Sequence, residues 1–308
     1  MGTTCSSYFP YCCFRSTSEK ERRPSVYYTS AIKSPHGLTY KFYEPSNGHF
    51  LEGQDINTWI QGLYKTVHVW TDFMVYNDQV DVHGTTHGHC KGIITWNTVT
   101  KRLSWLVHSV PHFPQTFKLN EKGQVELSNI EHAEELFAQS FIYIEIDYEN
   151  EKLHDILEQV YHMQPHIYLS NTVDKVINRK HKTADCKKLW LGENLFHVAK
   201  SPKDHIDIYE DFIVEEFGGP CLVETWLRGQ VIKESDAVTH IKEMMGTGNK
   251  SYTESHDHSK IALSAEKRVP WVCIGDLNRM ESQKSRGGGG IIVLDEKLWL
   301  AYRSLIIQ

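Results

Sequence analysis

Hydrophobic positions along this chain fall into short alternating runs rather than long helical stripes. Tyr27-Tyr28-Thr29 and Leu38-Thr39-Tyr40-Lys41-Phe42-Tyr43 predict strands, the second with period-two alternation. Residues 57–65 predict a short helix. Residues 67–76 are apolar and β-prone, and end at an Asn77-Asp78 turn. Residues 91–96 and 103–110 predict a hairpin about Asn97-Thr98. A helix is expected over 131–140, a strand over 141–147 and a second helix over 149–162. In the second half, 206–217 precedes a Gly218-Gly219-Pro220 break and 221–228 is strand-like. A helix is expected over 236–245, stopping at Gly246. Residues 260–263 and 271–274 predict short strands, 286–290 a flexible glycine tract, and 295–307 a closing helix. Strands mixed with helices in both halves predict an α/β (α+β) chain built as two packed units. The expected division is a mobile leader over 1–25, one half over 26–155 and the other over 156–308.

Composition narrows the class. Hydrophobic residues make up 40% of the 308, enough for a packed core. No run approaches the roughly 18 apolar residues that span a bilayer. The leader lacks the basic start and sustained apolar stretch of a signal peptide. The seven cysteines include no C-x-x-C pair, which argues against a zinc ribbon. A formal charge of −6 argues against a generic DNA-coating protein. The chain also carries 18 histidines, and imidazole titrates near pH ~6.5, so acidification reverses the net charge before most carboxylates titrate. Such a chain repels polyphosphate at neutral pH and attracts it in acid.

Two motifs then stand out: Gly88-His89-Cys90-Lys91-Gly92 and Asp257-His258-Ser259-Lys260, one in each half. On an extended strand, residues two apart face the same side. An imidazole beside a fixed ammonium suits phosphodiester chemistry. Two copies let one histidine attack phosphorus while the other protonates the leaving oxygen. The first motif follows a histidine-rich loop, so a metal site of His83, His87, His89 and Cys90, or a plain surface loop, stays open for that stretch. The segments that follow favour catalysis. Trp105 to Pro114 and Trp271 to Arg279 each run from an apolar, Trp-bearing strand into a polar strand end. Each half thus repeats the same order: His-x-Lys, turn, apolar strand, polar end.

Taken in order, Tyr76-Asn77-Asp78-Gln79, Gly88–Gly92, Leu106–Pro114, Asp257–Lys260, Cys273–Arg279 and Arg286–Gly289 resemble the deoxyribonuclease II family, acid endonucleases with a phospholipase D-like fold. The resemblance runs from about residue 38 to near the end of the chain. It implies two pseudo-symmetric sheet-and-helix halves with the active site between them. The implied reaction is metal-independent hydrolysis of DNA, with no cofactor, leaving a 3′-phosphate and a 5′-hydroxyl through a phosphohistidine. The implied catalytic residues are His89, Lys91, His258 and Lys260, with His108 and Asn278 orienting phosphate or partner side chains. His89 is favoured as nucleophile and His258 as acid/base, and the pseudo-symmetry leaves the reverse assignment open. Ser109, Arg279 and Arg286 are expected to bind substrate. DNA is the expected partner and a homodimer the expected assembly. The resemblance implies a lysosomal or secreted protein, against which stands the leader. Chemistry on another phosphodiester, or a nucleic-acid or protein-binding homologue without activity, are the alternatives. The chain departs from the family pattern at its cysteines, and Ile261 stands where the family carries Trp; at least two family disulfides are therefore not expected.

Overall fold

The computed structural model describes residues 26–65, 68–80, 87–172 and 185–307. The expected leader, and His83 of the metal reading, lie outside the described residues. Strands β1 (Val26–Lys33), β2 (Tyr40–Tyr43), β3 (Phe50–Gly53), β4 (Asp72–Asn77), β5 (Lys91–Asn97), β6 (Arg102–His108), β7 (Phe117–Leu119), β8 (Val125–Leu127), β9 (Gln139–Asp147) and β10 (Ile167–Ser170) come first. They are followed by β11 (Cys186–Gly192), β12 (Leu195–Lys200), β13 (Cys221–Thr225), β14 (Val238–His240), β15 (Glu243–Met245), β16 (Ser251–Thr253), β17 (Lys260–Ser264), β18 (Val272–Gly275), β19 (Gly288–Val293) and β20 (Ile306–Ile307). The main helices are α1 (Ile56–Tyr64), α2 (Asn150–His162) and α3 (Glu296–Arg303). The molecule is thus a mixed α+β protein.

Two large sheets organise it. One runs β10-β4-β5-β6-β9-β1-β2-β3, antiparallel throughout; the other runs β11-β12-β19-β18-β17-β13-β14. Alternation along the strands explains why they face each other. Ile94, Trp96, Trp105, Ile142 and Ile144 point into one core shared with Ile261, Leu263, Ile274 and Ile291 of the second sheet. Their neighbours Ile93, Leu106, Phe141 and Tyr143 point the other way, onto α1 residues Ile56 and Ile60. Because both faces are covered, β5 is buried along its whole length, its polar Lys91, Thr95 and Asn97 included. Each large apolar side chain so buried contributes about 1.5–3 kcal/mol. α2 packs on β11 and β12, and α3 on β17 and β18. Asp55 and Asp295 cap the N-termini of α1 and α3, Asp55 accepting the Asn57 N–H and Asp295 those of Lys297 and Leu298.

Several expectations give way to tertiary pairing. Residues 131–140 hold only a short tight turn, His132–Leu136; Gln139 and Ser140 instead pair with Lys33 and Ile32 as the start of β9. The helix expected over 236–245 is two strands, because Val238 pairs with Cys221 and Met244 with Tyr252. The closing helix stops at Arg303 and the chain ends as β20 against β15. The glycine tract is no flexible loop. It forms β19, buried between β12 and β18, and a Cβ on Gly287 would stand 2.0 Å from the Met163 carbonyl oxygen. The first sheet takes its edge strand β10 from residues 167–170, past the expected division at 155. Among the described cysteines, Cys90, Cys186, Cys221 and Cys273 are free thiols.

Candidate active site

Lys91 opens β5 and Lys260 opens β17, so each His-x-Lys pair stands at the start of a strand. Backbone contacts across the two sheets join these strand starts. His89 N–H donates to the Gly287 carbonyl at 2.7 Å, Ala138 bridges to Asp257, and Lys260 N–H donates to Ser140 Oγ at 3.1 Å. Close approach demands small residues here: a Cβ on Gly88 would lie 2.0 Å from the Met163 carbonyl oxygen. The ammonium groups act across the join. Lys91 depresses both His258 and Lys260, and Lys260 depresses His89.

His89 is oriented by a fixed dipole. Its Nδ1 lies 2.6 Å from the Asp276 carbonyl, which can only accept, so Nδ1 carries the proton and Nε2 a free lone pair. Although one edge of the ring reaches solvent, burial and the Lys91 charge pull the imidazole down to about 3. Lys91 Nζ meets Asp78 Oδ1 at 2.5 Å, and Arg286 meets Asp78 Oδ2 at 3.0 Å. Burial pushes Asp78 up, but these cations and His89 outweigh it and hold the carboxyl below its ordinary range. Asp276 is buried, and its carboxylate accepts the Lys91 and Gly289 N–H groups at 3.4 Å and 3.2 Å. Burial lifts it to about 8.

His258 sits in a different setting. Phe137 stacks on one side with ring centres 3.9 Å apart, and Trp226 lies 4.3 Å away. Its Nδ1 is 3.9 Å from Glu134 Oε2, and its buried Nε2 has no protein partner. Burial and the Lys260 and Lys91 charges pull it down to about 3. Lys260 Nζ donates to the His258 carbonyl, and burial lowers it to about 7. Burial raises Glu134 to about 7.

The remaining candidates divide. His108 ends β6; the Val110 N–H donates to its Nδ1 at 3.2 Å, so the neutral ring carries its proton on Nε2, a buried donor without a protein partner. Asn278 is likewise buried with a free Oδ1. Ser109 is wired inward: its hydroxyl donates to Gln139 at 2.5 Å, and Gln139 donates to Glu134 at 3.2 Å. Arg286 braces Asp78 and the His87 carbonyl. Arg279 does not face a cleft. It is 1% exposed and held by Asp207 at 2.7 Å and Glu210 at 2.6 Å, so its charge is spent inside the second half. The described residues contain no group of three or more His, Cys, Asp or Glu arranged to hold a metal. Sequence reasoning assigned no role to Asp78, Glu134, Phe137, Trp226 or Asp276. Asp78 and Asp276 sit inside the ordered motifs, which is a signal; Phe137 and Trp226 carry none.

The family model for Deoxyribonuclease II matches residues 21–308. The chain belongs to the deoxyribonuclease II family. This is a nuclease family, and nucleases are hydrolases. Deoxyribonuclease-2 of Caenorhabditis elegans is 30% identical over 76% of this chain and 64% of its own length. Deoxyribonuclease-2-beta of Rattus norvegicus is 28% identical over 80% of this chain and 74% of its own. Deoxyribonuclease-2-alpha of Sus scrofa is 25% identical over 91% and 85%. The chain thus spans slightly under two thirds of the nematode deoxyribonuclease II relative. No helix among the described residues is long and apolar enough to cross a membrane.

Proposed function

We propose that this chain cuts DNA in acid through a phosphohistidine, in a phospholipase D-like arrangement of its two sheets, with both charge and proton transfer supplied by side chains. The observation that carries the reading is His89, whose Nδ1 is fixed by the Asp276 carbonyl and whose Nε2 is thereby left as a lone pair. That Nε2 attacks phosphorus, a P–N bond forms, the P–O5′ bond breaks, and the 5′ oxygen takes a proton from His258 Nε2. A water then attacks phosphorus and gives its proton to His258. The P–N bond breaks, leaving a 3′-phosphate. Lys91, Lys260 and the His108 Nε2–H stabilise the equatorial oxygens.

Acid operation follows from the second histidine. At about pH 5 Glu134, lifted to about 7 by burial, is protonated, while the empty-site His258, held near 3, is neutral. Lys260, lowered to about 7, is fully cationic in the same range. The phosphodiester that binds is itself an anion and raises His258 from its depressed value, charging the acid when substrate arrives.

The test is plasmid nicking by the purified chain at about pH 5 with EDTA, beside His89→Ala and His258→Ala. Wild-type cleavage leaving 3′-phosphate ends, lost in both variants, is the expected outcome. Cleavage that requires added metal would overturn the reading, as would a folded wild type that cuts RNA or a simple diester but no DNA.

A further inference from the structure

A cavity of about 820 Å³ lies beside the second motif, and none of the proposed catalytic residues lines it. One wall comes from the loop between β1 and β2, including Ser34, His36 and Thr39; the other comes from β15–β16 and ends at His256. Its size is within the ~300–1,000 Å³ of pockets that enclose a small organic molecule. Its lining is rich in hydroxyls and imidazoles, unlike an apolar drug-type pocket. His36 and His256 meet where the two walls join, their rings in tilted contact with centres 5.2 Å apart, and both are exposed.

The loop that presents His36 is built rather than incidental. His36 holds φ at 60°, a conformation rare for a residue with a side chain. A buried lysine sustains it: Lys33 Nζ donates to the carbonyls of Ser34, Gly37 and Glu135 at 3.0, 2.8 and 3.0 Å. The Gly37 N–H donates to the Glu135 carbonyl as well. The segment that anchors this loop is the one whose Glu134 and Phe137 touch His258. On the opposite wall, His256 is two residues from His258, or about 7 Å of extended chain, on the order of one sugar-phosphate unit of a nucleic-acid strand. Of the two lining carboxylates, Glu52 is occupied by Lys41 at 2.9 Å and the Gly248 N–H at 3.0 Å, leaving Glu243. Lys250 adds a cation.

Resting on the nuclease reading, we infer that this cavity is a flanking subsite: His36 and His256 bind the backbone of the DNA strand one or two nucleotides from the bond being cut. Polar donors spaced from the reacting histidine by a nucleotide or two fit a sugar-phosphate backbone and offer little to an apolar ligand. Such contacts set position on the strand rather than base preference.

The test compares kcat and KM of the wild type and the His36→Ala/His256→Ala double variant on a dinucleotide and on a long oligonucleotide. In the wild type, KM is expected to fall as the substrate lengthens. The double variant loses about tenfold of that advantage, the worth of roughly one charge-assisted hydrogen bond, with kcat on the long substrate retained. A His36→Gln/His256→Gln variant, which keeps N–H donors, recovers part of it. Equal losses on short and long substrates, or an unchanged length dependence, would overturn the subsite. A wild type that cuts no DNA would instead sink the nuclease reading, so the two failures are distinct.

Discussion

The two His-x-Lys pairs share a sequence pattern and a place in their sheets, yet their surroundings differ in kind. Around the first, ionic partners dominate: Lys91, Asp78 and Arg286 form a buried chain of charges, and His89 is aimed by a backbone carbonyl. Around the second, aromatic rings dominate: Phe137 and Trp226 enclose His258, and Lys260 reaches only a backbone carbonyl among the described contacts. A dipole that aims one nitrogen suits a nucleophile. A desolvated imidazole resists charging until a bound anion raises it, which under the proposed reading couples the acid's proton to substrate binding. Similar motifs are thus made unequal by what packs on them.

The comparison breaks most sharply with a substrate whose leaving group needs no proton, such as a nitrophenyl phosphodiester. His258→Ala is expected to form the phosphohistidine on it and stall or slow at hydrolysis, while His89→Ala forms none, a difference on the order of 10³-fold in the first step. Acid-quenched intact-mass measurement reads this directly, and a covalent adduct on His258 in the His89→Ala protein would reverse the assignment.

Asp78→Asn probes the ionic side. It leaves Lys91 and Arg286 buried without their carboxylate, which costs about 3 kcal/mol of stability by analogy with broken buried pairs. Chemical denaturation should show that loss, and cleavage should fall by about tenfold or more as Lys91 loses its fixed position. Full retention of both would mean that the charge chain is dispensable.

Trp226→Ala probes the aromatic side and is expected to have the smallest effect on rate, about threefold to tenfold. Its signature is in pH. Burial holds His258 at about 3, below its unfolded value, so the folded protein resists protonation there, and stability contributed by the neutral ring is lost as pH falls from ~6.5 towards 3. Opening the ring to water raises this value. The variant should lose less stability on acidification than the wild type, and NMR titration of the His258 ring should move upward. An unmoved titration would show that the Lys91 and Lys260 charges, not the aromatic cover, depress it.

Much of the candidate site is legible in the chain because its His-x-Lys pairs are local. His89 with Lys91, and His258 with Lys260, are two residues apart, and extended backbone puts such pairs on one face whatever the rest of the fold does. β5, β6 and the body of β9 were legible for the same reason: their alternation is covalent. The misread elements are those decided by partners. Residues 236–245 have a helical composition but lie against β13 and β16, and the glycines of β19 look flexible until the Val198 carbonyl and the flanking strands crowd them. Arg279 looked like a phosphate ligand because charge is visible in a sequence and burial is not.

The sequence by itself determined the candidate reacting groups, their pairing within each motif and the family to which the chain belongs, since each depends on residue identity and short spacing. Only the tertiary structure decided which histidine is aimed and which is enclosed. Asp276, Glu134, Phe137 and Trp226 reach their histidines from distant points of the chain, through strand register and the packing of one sheet on the other, and no local pattern encodes such long-range contacts.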